Sequence, residues 1–92
     1  MKIIYSKSFK KDFKKLDELR QNKVLDILEK LSNGETLDEK YYDHALKGKL
    51  KDFRDCHIEP NLILLYQITA DRLILNALRI GSQHNFRLIL PS

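Results

Sequence analysis

The chain has 92 residues, enough for one domain with a thin core. Its apolar fraction of 42% and charged fraction of 33% exclude a disordered chain. The net charge of +4 and pI of about 9.2 favour an acidic or polyanionic partner.

Cys56 is the only cysteine, which excludes an internal disulfide and fits a reducing compartment. No apolar run approaches the roughly 18 residues of a membrane span. The charged start, M-K-I-I-Y-S-K-S-F-K-K, has no apolar signal region, so the expected compartment is the cytoplasm and no membrane partner is expected.

Lys2 to Tyr5 reads as a short strand rich in β-formers. Ser6 or Ser8 offers an N-cap to a helix from Lys7 to about Arg20, where Phe9, Phe13 and Leu16 recur at helical spacing. Asn22 offers a cap to a second helix with Val24, Leu28 and Leu31 on one stripe, closed by Ser32-Asn33-Gly34. Residues 35–50 read as polar and irregular and include the pair Tyr41-Tyr42. Phe53 to Ile58 alternates, with Arg54, Cys56 and Ile58 on one face and Phe53, Asp55 and His57 on the other. Glu59-Pro60-Asn61 is a turn. Leu62 to Ile68 is apolar on both faces and reads as a central strand. A second turn, Thr69 to Arg72, leads to a last strand, Leu73 to Ile80. The predicted order is β-α-α-β-β-β in a single domain, 1–92. The expected fold is α+β, an antiparallel meander with both helices on one face.

Between Tyr42 and Tyr66 the chain sets two histidines, an arginine and several lysines and acids beside that central strand. Histidine exchanges protons near neutral pH, and arginine and lysine bind phosphate. The bland account of His44, His57 and His84 is three unrelated surface histidines. A metal centre is not expected, because the usual helical histidine spacings are absent. A ribonuclease needs a base for a ribose 2′-OH, an acid for the leaving 5′-oxygen, and cations for the charge on phosphate. The histidines suit the proton roles, and Arg54, Arg79 or the lysines suit the third. Asp55 shares a face with His57 and can orient or charge-stabilise an imidazole; its bland role is a surface ion pair worth under about 1 kcal/mol. Lys47, Lys49 and Lys51 flank Gly48 and either hold RNA backbone or simply face water. Phe86 either stacks on a base or anchors the tail.

The block D-H-A-L-K-G-K-L-K-D-F-R-D-C-H-I-E-P-N-L-I-L-L-Y, with the start at Ser6–Asp12 and the ending L-R-I-G-S-Q-H-N-F, resembles the RelE/ParE toxin superfamily, and most closely its YafQ branch. The resemblance covers nearly the whole chain. It implies a RelE-like fold and a ribosome-dependent mRNA endonuclease working by metal-free acid–base chemistry without a cofactor. It carries catalytic roles to His44, Asp55, His57 and His84. Substrate-binding roles go to Lys47, Lys49, Arg54, Asn61, Arg79 and Phe86. The base is expected to be His57 or His44, and the acid His84.

The family histidine falls where this chain has Gln83, with His84 one position later, and the family's acidic residue after the proline is Asn61 here. The implied partners are mRNA, the ribosome and a cognate acidic antitoxin of the DinJ/RelB kind, with the toxin–antitoxin complex binding operator DNA. The alternatives are a ParE-like toxin that binds gyrase without chemistry, and a weakened member kept for antitoxin binding.

Overall fold

The computed structural model describes residues 1–84. The first strand, β1, is Lys2–Tyr5. Ser6 then caps helix α1, Lys7–Lys14, its hydroxyl accepting from the Phe9 N–H at 2.9 Å. The helix is shorter than the periodicity predicts, because the chain breaks at residues 15–17 and starts again. Asp17, not Asn22, caps helix α2, Glu18–Ser32. Its carboxylate accepts from the Arg20 N–H at 2.9 Å and pairs with the Arg20 side chain at 2.7 Å. That satisfies an otherwise unpaired first-turn donor and places negative charge at the helix N-terminus. Asn22 lies inside the helix. Gly34, at φ +78°, follows the C-cap Asn33 as the sequence leads one to expect.

The remaining strands are β2 (His44–Ala45), β3 (Arg54–Glu59), β4 (Leu62–Thr69) and β5 (Ile74–Gly81). Their order across the sheet is β1-β5-β4-β3-β2. The α+β class is the expected one, but the sheet is mixed: β1 runs parallel to β5, and every other pair is antiparallel. The helical excursion lets β1 lie beside a strand some seventy residues later in the same direction, as parallel pairing requires a long crossover. The stretch 35–50 is also more ordered than expected. It holds short 3-10 turns at Glu39–Tyr41 and Gly48–Leu50, with β2 between them.

The sheet has two unlike faces. On one, Val24, Ile27, Leu28 and Leu31 of α2 and Phe9 of α1 are buried against Cys56, Leu64, Tyr66, Leu75 and Ala77. Each buried Val, Leu, Ile or Phe among them contributes about 1.5–3 kcal/mol by leaving water. Burial pushes the Cys56 thiol up to about 12, so this cysteine is a packing residue at neutral pH. On the other face a smaller cluster forms around Ile63 and Leu65, with Leu46, Phe53 and Leu78. The apolar character of β4 on both faces, read from its sequence, follows from this double burial. The second face carries His44, Asp55 and His57.

Candidate active site

Strand register assembles the site. His44 of β2 pairs with Asp55 of β3, and Asp55 pairs with Leu65 of β4. Opposed residues share a face, so His44, Asp55 and, two residues on, His57 stand on the face away from α2. His44 and His57 are diagonal neighbours, about 7–8 Å apart by sheet geometry.

His44 is tightly specified. Its Nδ1 lies 2.7 Å from the Tyr42 carbonyl oxygen and 3.2 Å from Asp55 Oδ1. Both are acceptors, so the proton sits on Nδ1 and is donated to Tyr42 at the shorter contact. In neutral His44, Nε2 is then left with its lone pair, and the side chain is half-exposed. Asp55 is 13% exposed at its side chain, and its Oδ1 is buried without a hydrogen bond among the described residues. Burial raises the Asp55 pKa, opposed by the nearby His44 and His57. A carboxylate held dry against an imidazole edge stabilises the imidazolium formed when Nε2 takes a proton.

Tyr42 is the residue that sequence reading missed. It caps the first 3-10 turn in the left-handed region, at φ +49°, a strained setting for a bulky residue. That bend aims its carbonyl at His44. Its ring meets His44 edge-on at 4.8 Å between centroids and His57 at 5.8 Å. The Tyr41-Tyr42 pair beside Asp43-His44 was the available signal, but nothing local announces the positive φ.

Arg54 stands elsewhere. It pairs in register with Tyr66, so both lie on the helix-covered face, opposite Asp55 and His57. Arg54 Nε donates to the Tyr66 hydroxyl at 3.2 Å, and Nη2 lies 3.4 Å from Asp43 Oδ2. The Tyr66 hydroxyl donates to Asp43 Oδ1. Burial first, and then the Asp43 contact, push the Tyr66 hydroxyl far above its ordinary pKa, keeping it a donor. The triad fastens Asp43, and with it the two-residue β2 that presents His44.

Arg79 is also engaged. Its Nε and Nη2 donate to Asp12 at 2.7 and 3.1 Å, and the Ile80 N–H donates to the same carboxylate at 3.2 Å. Where β1 ends, Ser6 and Asp12 of the α1 segment take over the edge of β5, Ser6 through the Ala77 and Leu78 carbonyls. Asp12→Ala leaves the Ile80 N–H and the Arg79 guanidinium unpartnered. It is expected to lower stability by about 1–3 kcal/mol, measured by urea unfolding; an unchanged midpoint contradicts this role.

The other sequence candidates are dispersed. Lys47 and Lys49 are exposed in the loop after β2 and form no ion pair among the described residues. Asn61 accepts from the Gln83 N–H at 3.1 Å, so it positions the segment after β5. His84 is exposed, with no side-chain hydrogen bond among the described residues. Phe86 lies outside the described residues. Among the described residues, no group of three or more His, Cys, Asp or Glu side chains is placed to hold a metal ion. Among them, too, no helix is long and apolar enough to cross a membrane.

Comparison with known proteins gives this geometry a context. The mRNA interferase toxin YafQ of Escherichia coli K12 is 39% identical over 70 residues, covering 76% of this chain and 74% of that protein. A metal-bound toxin from Helicobacter pylori superposes with a TM-score of 0.80 at 38% identity, over 92% of this chain and 97% of that one. YafQ in the E. coli DinJ–YafQ complex superposes with a TM-score of 0.75 at 33% identity, over 90% and 93%. Residues 1–87 match the family described as bacterial toxin of type II toxin-antitoxin system, YafQ. With the match spanning the fold and every strand that carries the histidine face, the chain belongs to the YafQ family of type II toxin–antitoxin toxins.

Proposed function

We propose that this toxin is an mRNA endoribonuclease in which His44 is the general base. The observation that carries the reading is the pinned imidazole: Nδ1–H held by the Tyr42 carbonyl, buried Asp55 beside it, and Nε2 left to accept a proton. The E. coli relative bearing the name mRNA interferase supports mRNA as substrate. In the reaction, His44 Nε2 takes the 2′-OH proton and the 2′-oxygen attacks the adjacent phosphorus. The bond to the 5′-oxygen breaks, and that oxygen is protonated by an acid. The products are a 2′,3′-cyclic phosphate and a 5′-hydroxyl. His57 is the acid that the sheet favours, since its diagonal spacing from His44 admits one phosphate between them. His84, the acid expected from sequence, is fixed by no side-chain contact among the described residues. Exposed Lys47 and Lys49 supply positive charge for the phosphate. Arg54 and Arg79 serve the scaffold in this resting arrangement.

The partners follow the same reading. A cognate antitoxin silences the toxin, as the DinJ–YafQ complex supports. Its toxin-binding segment is acidic, matching the +4 charge of this chain. The site of action is the ribosome in the cytoplasm, and the toxin–antitoxin complex binds operator DNA.

The test is induction in cells with mapping of mRNA 5′ ends. Cuts within translated codons, in frame, are the expected result. Intact mRNA accompanied by supercoiling defects overturns the nuclease reading in favour of a gyrase-binding toxin.

A further inference from the structure

A groove of about 1000 Å³ opens beside the histidine face, and His57 and Tyr42 line both. Its other walls include Tyr41, Ile27, Ile58 and Pro60, from the first 3-10 turn, α2, β3 and the β3–β4 turn. The charges around it are already engaged. Lys23 pairs with Glu59 at 2.7 Å, Asp26 pairs with Lys30 at 3.3 Å, and Lys40 sits over the Tyr41 ring. Such a groove offers aromatic and apolar surface with little net charge, which suits a base rather than a phosphate. Tyr42 stands between groove and histidines. It is 66% exposed, and its hydroxyl makes no hydrogen bond among the described residues. Its strained backbone holds a large ring in the open, next to both imidazoles.

We infer that Tyr42 and this groove form a nucleobase subsite, in which a base flanking the cleaved phosphate stacks on the Tyr42 ring and lies against Tyr41 and Ile27. The inference rests on the nuclease reading and adds a substrate contact to it. Stacking on one aromatic side chain is sequence-tolerant, so the subsite sets the depth and register of the RNA before the histidines act.

The test is NMR titration of the isolated toxin with 2′-O-methyl RNA trinucleotides, which cannot be cleaved. The wild type is expected to shift the Tyr42, Tyr41 and Ile27 signals. Tyr42→Ala is expected to bind about 5- to 100-fold more weakly. Tyr42→Phe keeps the ring and is expected to bind within about twofold of wild type. A folded Tyr42→Ala that binds like wild type overturns the subsite. So do shifts that avoid the groove, or a groove that responds to antitoxin alone. His44→Ala is expected to lose cleavage and keep binding. A wild type that binds trinucleotides in the groove yet never cuts mRNA sinks the nuclease reading and leaves the subsite standing.

Discussion

His44→Ala is expected to lower the mRNA cleavage rate by about 10²–10⁴-fold and to relieve growth arrest in cells, with the fold intact. The size follows from what is lost. Among the described residues, His44 is the one histidine whose tautomer is set by two acceptors, at 2.7 and 3.2 Å, and whose charged form has a buried carboxylate beside it. Its side chain is 42% exposed, so truncation opens no cavity and the stability change stays within about 0.5 kcal/mol. His57→Ala is expected to show a loss of the same order. The double variant is expected to fall little further, because a base and an acid serving one step are not additive. The measurement is the rate of cleavage of a translated reporter mRNA, with circular dichroism as the check on folding. A folded His44→Ala as fast as wild type removes His44 from the chemistry.

Much of this site was legible in the sequence, and the reasons differ by residue. The alternation from Phe53 to Ile58 placed Asp55 and His57 on one face, and a two-residue period leaves no other choice once Cys56 and Ile58 are buried. The same alternation already set Arg54 on the opposite face. Its assignment to phosphate came from residue type and resemblance, and the period argued against it. A serine cap, left between Ser6 and Ser8, and the two-sided burial of β4 were readable because local signals carry them. The parallel β1–β5 pairing was not, because the partner lies some seventy residues away and nothing in Lys2–Tyr5 names it. The pairing of His44 with Asp55 was hidden for a related reason. A two-residue strand carries no period, and its register is fixed by the Asp43–Arg54–Tyr66 contacts on the other face. Asp12 entered the sequence reading only as the last residue of the Ser6–Asp12 start. Its role appears only where β1 stops and the edge of β5 needs an acceptor.

Asp55→Asn is expected to separate activity from stability. In the folded protein, burial raises the Asp55 pKa above its unfolded value of about 3.9, with His44 and His57 opposing the shift less strongly. A carboxyl with a raised folded pKa stabilises the fold in its protonated form, so that contribution is whole below about pH 4 and is lost as the pH rises through the folded pKa. At neutral pH the wild type therefore holds a buried charge at a net cost, with Oδ1 beside His44 Nδ1 at 3.2 Å but without a hydrogen bond among the described residues. The amide removes the charge and keeps the shape. Asp55→Asn is expected to match wild type near pH 3 and to melt at a higher temperature than wild type at pH 7. Activity moves the other way. Without the carboxylate, the imidazolium on His44 loses its stabilising charge, and cleavage is expected to fall by about 10²-fold. Elsewhere such a change has cost about 10⁴-fold by imposing the wrong tautomer. Here the Tyr42 carbonyl still accepts the Nδ1 proton, so the tautomer survives and the loss is smaller. Melting curves from pH 3 to 8, beside single-turnover cleavage, read both effects. An Asp55→Asn protein that is fully active, or less stable than wild type at every pH, shows that Asp55 is an ordinary structural carboxylate.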